Sequence, residues 1–170
     1  MTDKNRKMEI FKLDKSIWTN NDFEEMGWHD SKIYGMTIEK HDDNWAADFL
    51  LDIDYIFKWV HPVPPAQTFT FWIAPCTLIF KECFDLYIEY DTNAGSLDLM
   101  EIDDLCLSDK IEQENNKLAY KWIIELQQGQ IELKSYGFEQ IVRQKPIHVQ
   151  SQILSLDERG GINFGRKSYP

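Results

Sequence analysis

The chain has 170 residues, of which 43% are hydrophobic and 14% aromatic. That is enough for one packed domain burying roughly 70% of its unfolded surface, and it excludes disordered, collagen-like and disulfide-scaffold classes. The formal charge of -11 argues against nucleic acid and anionic membranes as partners, since both recruit Lys and Arg.

Residues 1–8 are polar and mixed in charge, lack the apolar core of a secretory signal, and are expected to be frayed; a single β domain is expected over 9–170. Asn21-Asp-Phe-Glu24 has a capping residue with a Glu three positions later, which predicts a short capping-box helix stopping near Gly27. Residues 32–41 alternate, with Gly35 marking a bulge. Asp42-Asp-Asn44 turns the chain, and residues 45–57 return as the second strand of a hairpin. There Phe49, Leu51, Ile53 and Tyr55 point one way, and Asp48, Asp52 and Asp54 point the other. His61-Pro-Val-Pro-Pro65 reads as a loop or sheet edge. Phe69, Phe71 and Ile73 form an apolar stripe. Pro75 is expected to end or kink that strand before it resumes at 76–81.

Residues 84–90 alternate cleanly, and Asn93-Ala-Gly95 is a turn. Alternation in 97–114 slips around Ile102 to Asp104, which predicts a bulge or corner. Tyr120, Trp122, Ile124 and Leu126 alternate against Lys121 and Glu125, and Gln127 to Gln130 make a tight hairpin into Ile131 and Leu133. Residues 140–149 are ambiguous around Pro146. Residues 155–159 suit one helical turn, and 162–164 a last short strand. Eight or nine short strands with no long amphipathic helix predict an all-β antiparallel sandwich or flattened barrel.

The charge is concentrated. Residues 82–114 hold eleven acids and a single base, Lys110, while the rest of the chain is nearly balanced. Such a segment is either a solvated face or a surface that steers a basic partner. No DxDxDG loop suggests calcium, and no phosphate loop, GxGxxG, GxSxG, HExxH or CxxC is present, so neither a metal nor a cofactor is expected. Cys76, Cys83 and Cys106 are an odd count and fit reduced thiols in a cytoplasmic protein. The longest apolar stretch, residues 69–80, is too short to span a bilayer.

His29-Asp30 precedes a strand and serves either to orient an imidazole toward a ligand or to fix a turn. Asp52 and Asp54 lie about 7 Å apart on one strand face, a spacing open to two-carboxylate hydrolysis or to plain solvation. Trp72 and Trp122 read as core; Trp59, beside His61 and the prolines, reads as exposed.

Trp28-His29-Asp30-Ser31-Lys32-Ile33 resembles a group of uncharacterised bacterial proteins that open with a Trp/Phe-His-Asp-small-x-Ile/Leu strand. Phe49-Leu-Leu-Asp-Ile-Asp-Tyr-Ile-Phe-Lys-Trp59 and Phe71-Trp-Ile-Ala-Pro-Cys-Thr-Leu-Ile-Phe80 resemble the same group, so the likeness covers about residues 26–92. The His-Asp opening is also similar to small β-rich immunity proteins of bacterial polymorphic toxin systems. The resemblance implies an acidic cytosolic protein that binds and neutralises a toxin domain, with no catalytic residues to carry over.

Three expectations follow. The first is a non-enzymatic binding protein that captures a basic protein through Asp98, Glu101, Asp103 and Asp104. The second is a small-molecule or carbohydrate binding protein, or a hydrolase. Its pocket is built from His29, Asp30, Asp52, Asp54, Tyr55, Trp59 and His61. The third is an acidic face that only solubilises, with function in contacts along an open strand edge.

Overall fold

The computed structural model describes residues 11–91 and 97–170. Residues 1–8, expected to be frayed, and the turn expected at Asn93-Ala-Gly95 lie outside that range. The strands are β1 (Ile17–Thr19), β2 (Lys32–Lys40), β3 (Ala47–Val60), β4 (Thr70–Phe80), β5 (Phe84–Tyr90), β6 (Met100–Glu112), β7 (Leu118–Leu126), β8 (Gly129–Ser135), β9 (Phe138–Val142) and β10 (Ile147–Val149). A 3-10 helix spans Asn20–Glu25, and α1 spans Leu156–Arg159. The strands form one open antiparallel sheet in the order β1-β9-β4-β3-β2-β6-β7-β8-β5, and β10 joins β4 outside this path. No helix among the described residues is long and apolar enough to cross a membrane.

The all-β class is as the alternation predicts, and the differences are local. The capping box of the 3-10 helix is Thr19 with Asp22, two residues before the predicted one. Pro75 neither ends nor breaks β4. It falls between Ile73, the last β4 residue paired with β10, and Cys76, the first paired with β9, so its missing N–H leaves no ladder bond unmade on that side. Residues 162–164 are not a strand. The Asn163 amide donates to Asp52 and the Gly165 carbonyl accepts from Thr77 Oγ1, so this backbone bonds to side chains instead of a ladder.

The sheet folds over on itself because β2 and β6 pair only at Lys32–Glu101 and Ile33–Met100. Beyond that point the two strands diverge. One layer holds β1, β9, β4, β3 and β2, and the other holds β6, β7, β8 and β5. Bulges at Ile33/Gly35 and Ile102/Asp104, both expected from the slipped alternation, sit at this fold line. Between the layers lie Trp28, Phe49, Leu51, Ile53, Leu78, Phe80, Trp122, Ile124, Ile131, Leu133 and Phe138. Trp122 is fully buried, with ring centroids 5.4 Å from both Phe23 and Phe138 and 6.1 Å from Phe80. Its indole N–H donates to Ser135 Oγ at 3.0 Å, which satisfies the one polar atom it buries.

The opposite face of the first layer is covered too. Leu154 packs on Ile56, Phe71 and Ile73, and Phe164 packs on Leu50, Ile79 and Ile141. The segment from about 150 to 166 thus lies over β3 and β4 as an irregular third layer.

β5 is an outer edge strand, and Asp85, Tyr87 and Glu89 on it are exposed. Antiparallel self-pairing centred on Glu89 would set its carboxylate against that of the second copy, and like charges directly opposite disfavour a strand pair. Replacing Glu89 with Thr is therefore expected to produce concentration-dependent dimers in sedimentation velocity. A variant that stayed as monomeric as the parent chain would assign the protection of this edge to something other than its charges.

Candidate functional site

Asp52 and Asp54 are not on a solvated face, contrary to the reading of their alternation. Both are fully buried under the third layer. Leu50 and Ile56 share their face, and that face needs cover, which the chain supplies from far along the sequence. Arg159, itself buried, donates from Nη1 and Nη2 to the two oxygens of Asp52 at 2.8 and 2.7 Å, and from Nε to Asp54 at 3.1 Å. Arg143 donates to Asp52 at 2.6 Å and to Thr77 Oγ1 at 2.8 Å. The Leu154 amide donates to the other Asp54 oxygen, and the Asn163 amide donates to the Asp52 oxygen that also accepts from Arg159 Nη1. The Arg159 guanidinium also lies 3.7 Å from the ring centre of Tyr34. Burial pushes the Asp54 carboxyl above its ordinary value, against the pull of the Leu154 amide and Arg159.

Two carboxylates matched by two guanidiniums make a neutral, hydrogen-bonded centre, which is how buried charge is tolerated. Its accessible donors and acceptors are spent on the fold, so Asp52 and Asp54 present nothing to a ligand. Tyr55 points to the other side of the sheet, into the core, where its hydroxyl accepts from the Gly27 amide at 3.2 Å. The seven residues expected to form one pocket are therefore divided between the sheet's two faces and one outer corner.

That corner holds the rest. Asp30 adopts a left-handed conformation, φ 64°, and its amide bonds the Ile102 carbonyl, so the turn after Trp28 is tied to β6. This places His29 against two groups from different layers. Its ring stacks on Trp59 at 6.3 Å and 20°, and its Nδ1 is 3.0 Å from the Asp103 carbonyl oxygen. Trp59 in turn meets Phe69 edge-on at 5.7 Å, and Phe69 meets His61 at 4.9 Å. Trp59, His61, Val63 and Phe69 are all exposed, forming an aromatic patch on the end of β3 and its loop. Trp45 at the β2–β3 turn is more exposed still, 96% against 37% for Trp59, which alternation in its strand did not reveal. Trp72 and Trp122 are buried as expected.

The acids of β6 adjoin this patch. Asp98, Asp103 and Asp104 are exposed, whereas Glu101 is half-buried and paired with Lys32. Gln127 donates to Asp103 at 3.1 Å. Asp104 lies directly opposite Glu125, Glu125 opposite Gln130, and Gln130 opposite Glu89, so one row of acids crosses the outer face of the second layer from β6 to β5. Among the described residues Asp104, Glu125 and Glu89 make no ion pair. The Asp104–Glu125 pair sets like charges face to face, an arrangement that weakens a sheet. Sequence reading placed Glu89 in the acidic segment 82–114 but not beside Asp104, and it missed Glu125 altogether. Only strand register brings them beside Asp104.

No group of three or more His, Cys, Asp or Glu among the described residues is placed to hold a metal ion. The cysteines are free thiols; burial pushes Cys83 up to about 12 and raises Cys76 and Cys106 as well, which makes them poor nucleophiles. Two grooves, of about 690 and 380 Å³, lie elsewhere. The larger runs along residues 11–16, Lys145 and Tyr169, and the smaller beside His41, Asp48 and Arg166. In the smaller, Asp48 is held by the Glu82 amide at 2.8 Å, His41 at 3.0 Å and Arg166 at 2.7 Å. These bonds outweigh the effect of burial and keep its carboxyl below the ordinary value. Compared with known proteins, the chain matches no family model, no curated protein and no solved structure.

Proposed function

We propose that this chain is a cytoplasmic, non-enzymatic binding protein that captures a basic protein partner at the corner where the acidic row meets the aromatic patch. The observation that carries this reading is the placement of His29, in contact with Trp59 on one side and with Asp103 on the other. Acids alone are common on soluble proteins. Acids beside exposed aromatic side chains combine the two elements that interfaces need, long-range attraction and a desolvated anchor.

The mechanism has two stages. Asp103 and the row of Asp104, Glu125 and Glu89 accelerate encounter by steering, and Trp59, Phe69 and Val63 then bury against the partner and set the dissociation rate. The opposed Asp104–Glu125 pair supports the reading, since a basic side chain between them would relieve their repulsion. The free thiols support a reducing compartment. On the immunity-protein resemblance, the partner is a basic toxin domain whose activity the complex blocks.

The test is a native pull-down at low salt with two altered baits. One carries Asp103→Asn, Asp104→Asn and Glu125→Gln; the other carries Trp59→Ala. The parent bait is expected to retain a basic protein that a salt step elutes, and both altered baits to lose it. Its association rate should fall roughly tenfold or more on raising salt from low to several hundred millimolar, with Trp59→Ala acting mainly on dissociation. Equal capture by all three baits, or an association rate indifferent to salt, would sink the proposal.

A further inference from the structure

The contacts of His29 point to regulation of this same corner. Both ring nitrogens face acceptors. Nδ1 is 3.0 Å from the Asp103 carbonyl oxygen and 3.5 Å from Asp103 Oδ1, and Nε2 is 3.5 Å from Asp30 Oδ1. Below the ring lies the indole of Trp59. A neutral imidazole carries one N–H and serves one side of this arrangement; an imidazolium carries two and serves both. The carboxylates are fixed independently of His29, because Gln152 donates to Asp30 at 2.7 Å and Gln127 to Asp103. Among the described residues the other charged and titratable groups around the corner are Asp104, Lys32, which pairs with Glu101 and feels Asp98, and His61 on the far side of Phe69. Two carboxylates, a carbonyl and an aromatic face make a receptor for a cation, and the residue seated in it is a histidine.

We infer that His29 is a pH-operated plug of the corner. As imidazolium it is the corner's own cation, stacked on Trp59 and cancelling one of the charges that attract a partner. As neutral imidazole it leaves Asp30 and Asp103 to a basic side chain arriving from outside. The Asp103 carbonyl and the carboxylates of Asp30, Asp103 and Asp104 also favour the protonated ring, against modest burial, so the change falls above the ordinary histidine value. By linkage, a partner's cation that displaces the imidazolium releases a proton, and affinity therefore rises with pH through this transition. The effect on a partner rests on the function proposed above. The plug itself does not.

Two measurements separate them. In the isolated protein, NMR titration should give His29 a midpoint above 6.5. The Trp59 indole signal should move with the same midpoint, and Asp30→Asn should lower it. A midpoint at or below the ordinary value, or a Trp59 signal that ignores it, overturns the plug. A synthetic octa-arginine peptide, followed by the Trp59 indole signal, should then bind roughly two- to fivefold more tightly at pH 8 than at pH 6. His29→Gln should abolish that step while leaving the peptide bound. A peptide that moves the Trp59 signal with no pH step overturns the gating. One that does not perturb Trp59 at either pH overturns the partner reading and the gating with it, while the titration alone still decides whether the plug exists.

Discussion

Arg159→Met is expected to lower the unfolding free energy by about 3–5 kcal/mol, most of what a small domain has. The residue is 1% exposed and donates to both Asp52 and Asp54, so its removal leaves Asp52 with Arg143 and Asp54 with no counter-ion among the described residues. Met fills similar space, which keeps the loss electrostatic and not a cavity effect. Arg159→Lys is expected to rescue only part, since an ammonium cannot reproduce the forked contact with Asp52. Urea unfolding curves measure this directly, as a lower midpoint at unchanged slope. A loss under about 1 kcal/mol would mean that the third layer is held by Leu154 and Phe164 alone and that the ionic centre contributes little net.

The second large effect is expected from Trp122→Ala, about 3–5 kcal/mol. Trp122 stands between the layers against Phe23, Phe80 and Phe138, and truncation leaves a void that Phe80 and Phe138 of the facing layer and Phe23 of the 3-10 helix line but cannot fill. It also removes one partner of the Ser135 hydroxyl, which keeps its bonds to the Gly137 carbonyl and amide. Trp122→Phe retains most of the volume and should cost less than half as much. Thermal unfolding followed by near-ultraviolet circular dichroism checks the order Ala below Phe below parent. Equal melting of the two variants would assign the effect to the lost indole hydrogen bond and not to volume.

Elements with one wet face and one dry face were readable because alternation encodes that contrast. β7, with Trp122, Ile124 and Leu126 inward, follows the pattern, and the pairing of the β2–β3 hairpin and the bulges where alternation slips were legible as well. Asp52 and Asp54 were misread by the same rule. A strand buried on both faces with an ion-paired pair on one of them has the same period-two pattern as a half-exposed strand. The available hint was Leu50 and Ile56, apolar residues on the acids' own side. Nothing local to Arg159 announces its partners. Residues 162–164 look like a strand by composition, yet their backbone is claimed by Asp52. At the corner, His29, Trp59 and Asp103 were each singled out, but as members of two separate surfaces. Their union depends on the left-handed turn at Asp30 and its bond to Ile102, which no pattern of apolar residues specifies. Glu125 and Glu89 needed the ladder register, which is a property of pairs of strands and not of either one.

The span between Asp54 and Arg159, 105 residues of chain, also orders events during synthesis. At about 5–20 residues per second the ribosome needs on the order of 5 to 20 s to travel from one to the other. Until Arg143 and then Arg159 are made, β3 and β4 exist without their counter-ions, and covering this face would drive two bare carboxylates into a dry interior. Those acids are therefore expected to keep this face of the nascent hairpin wetted until the distant arginines arrive. Sealing this face of the first layer waits on residues 143–166, which are made only after every strand of the second layer.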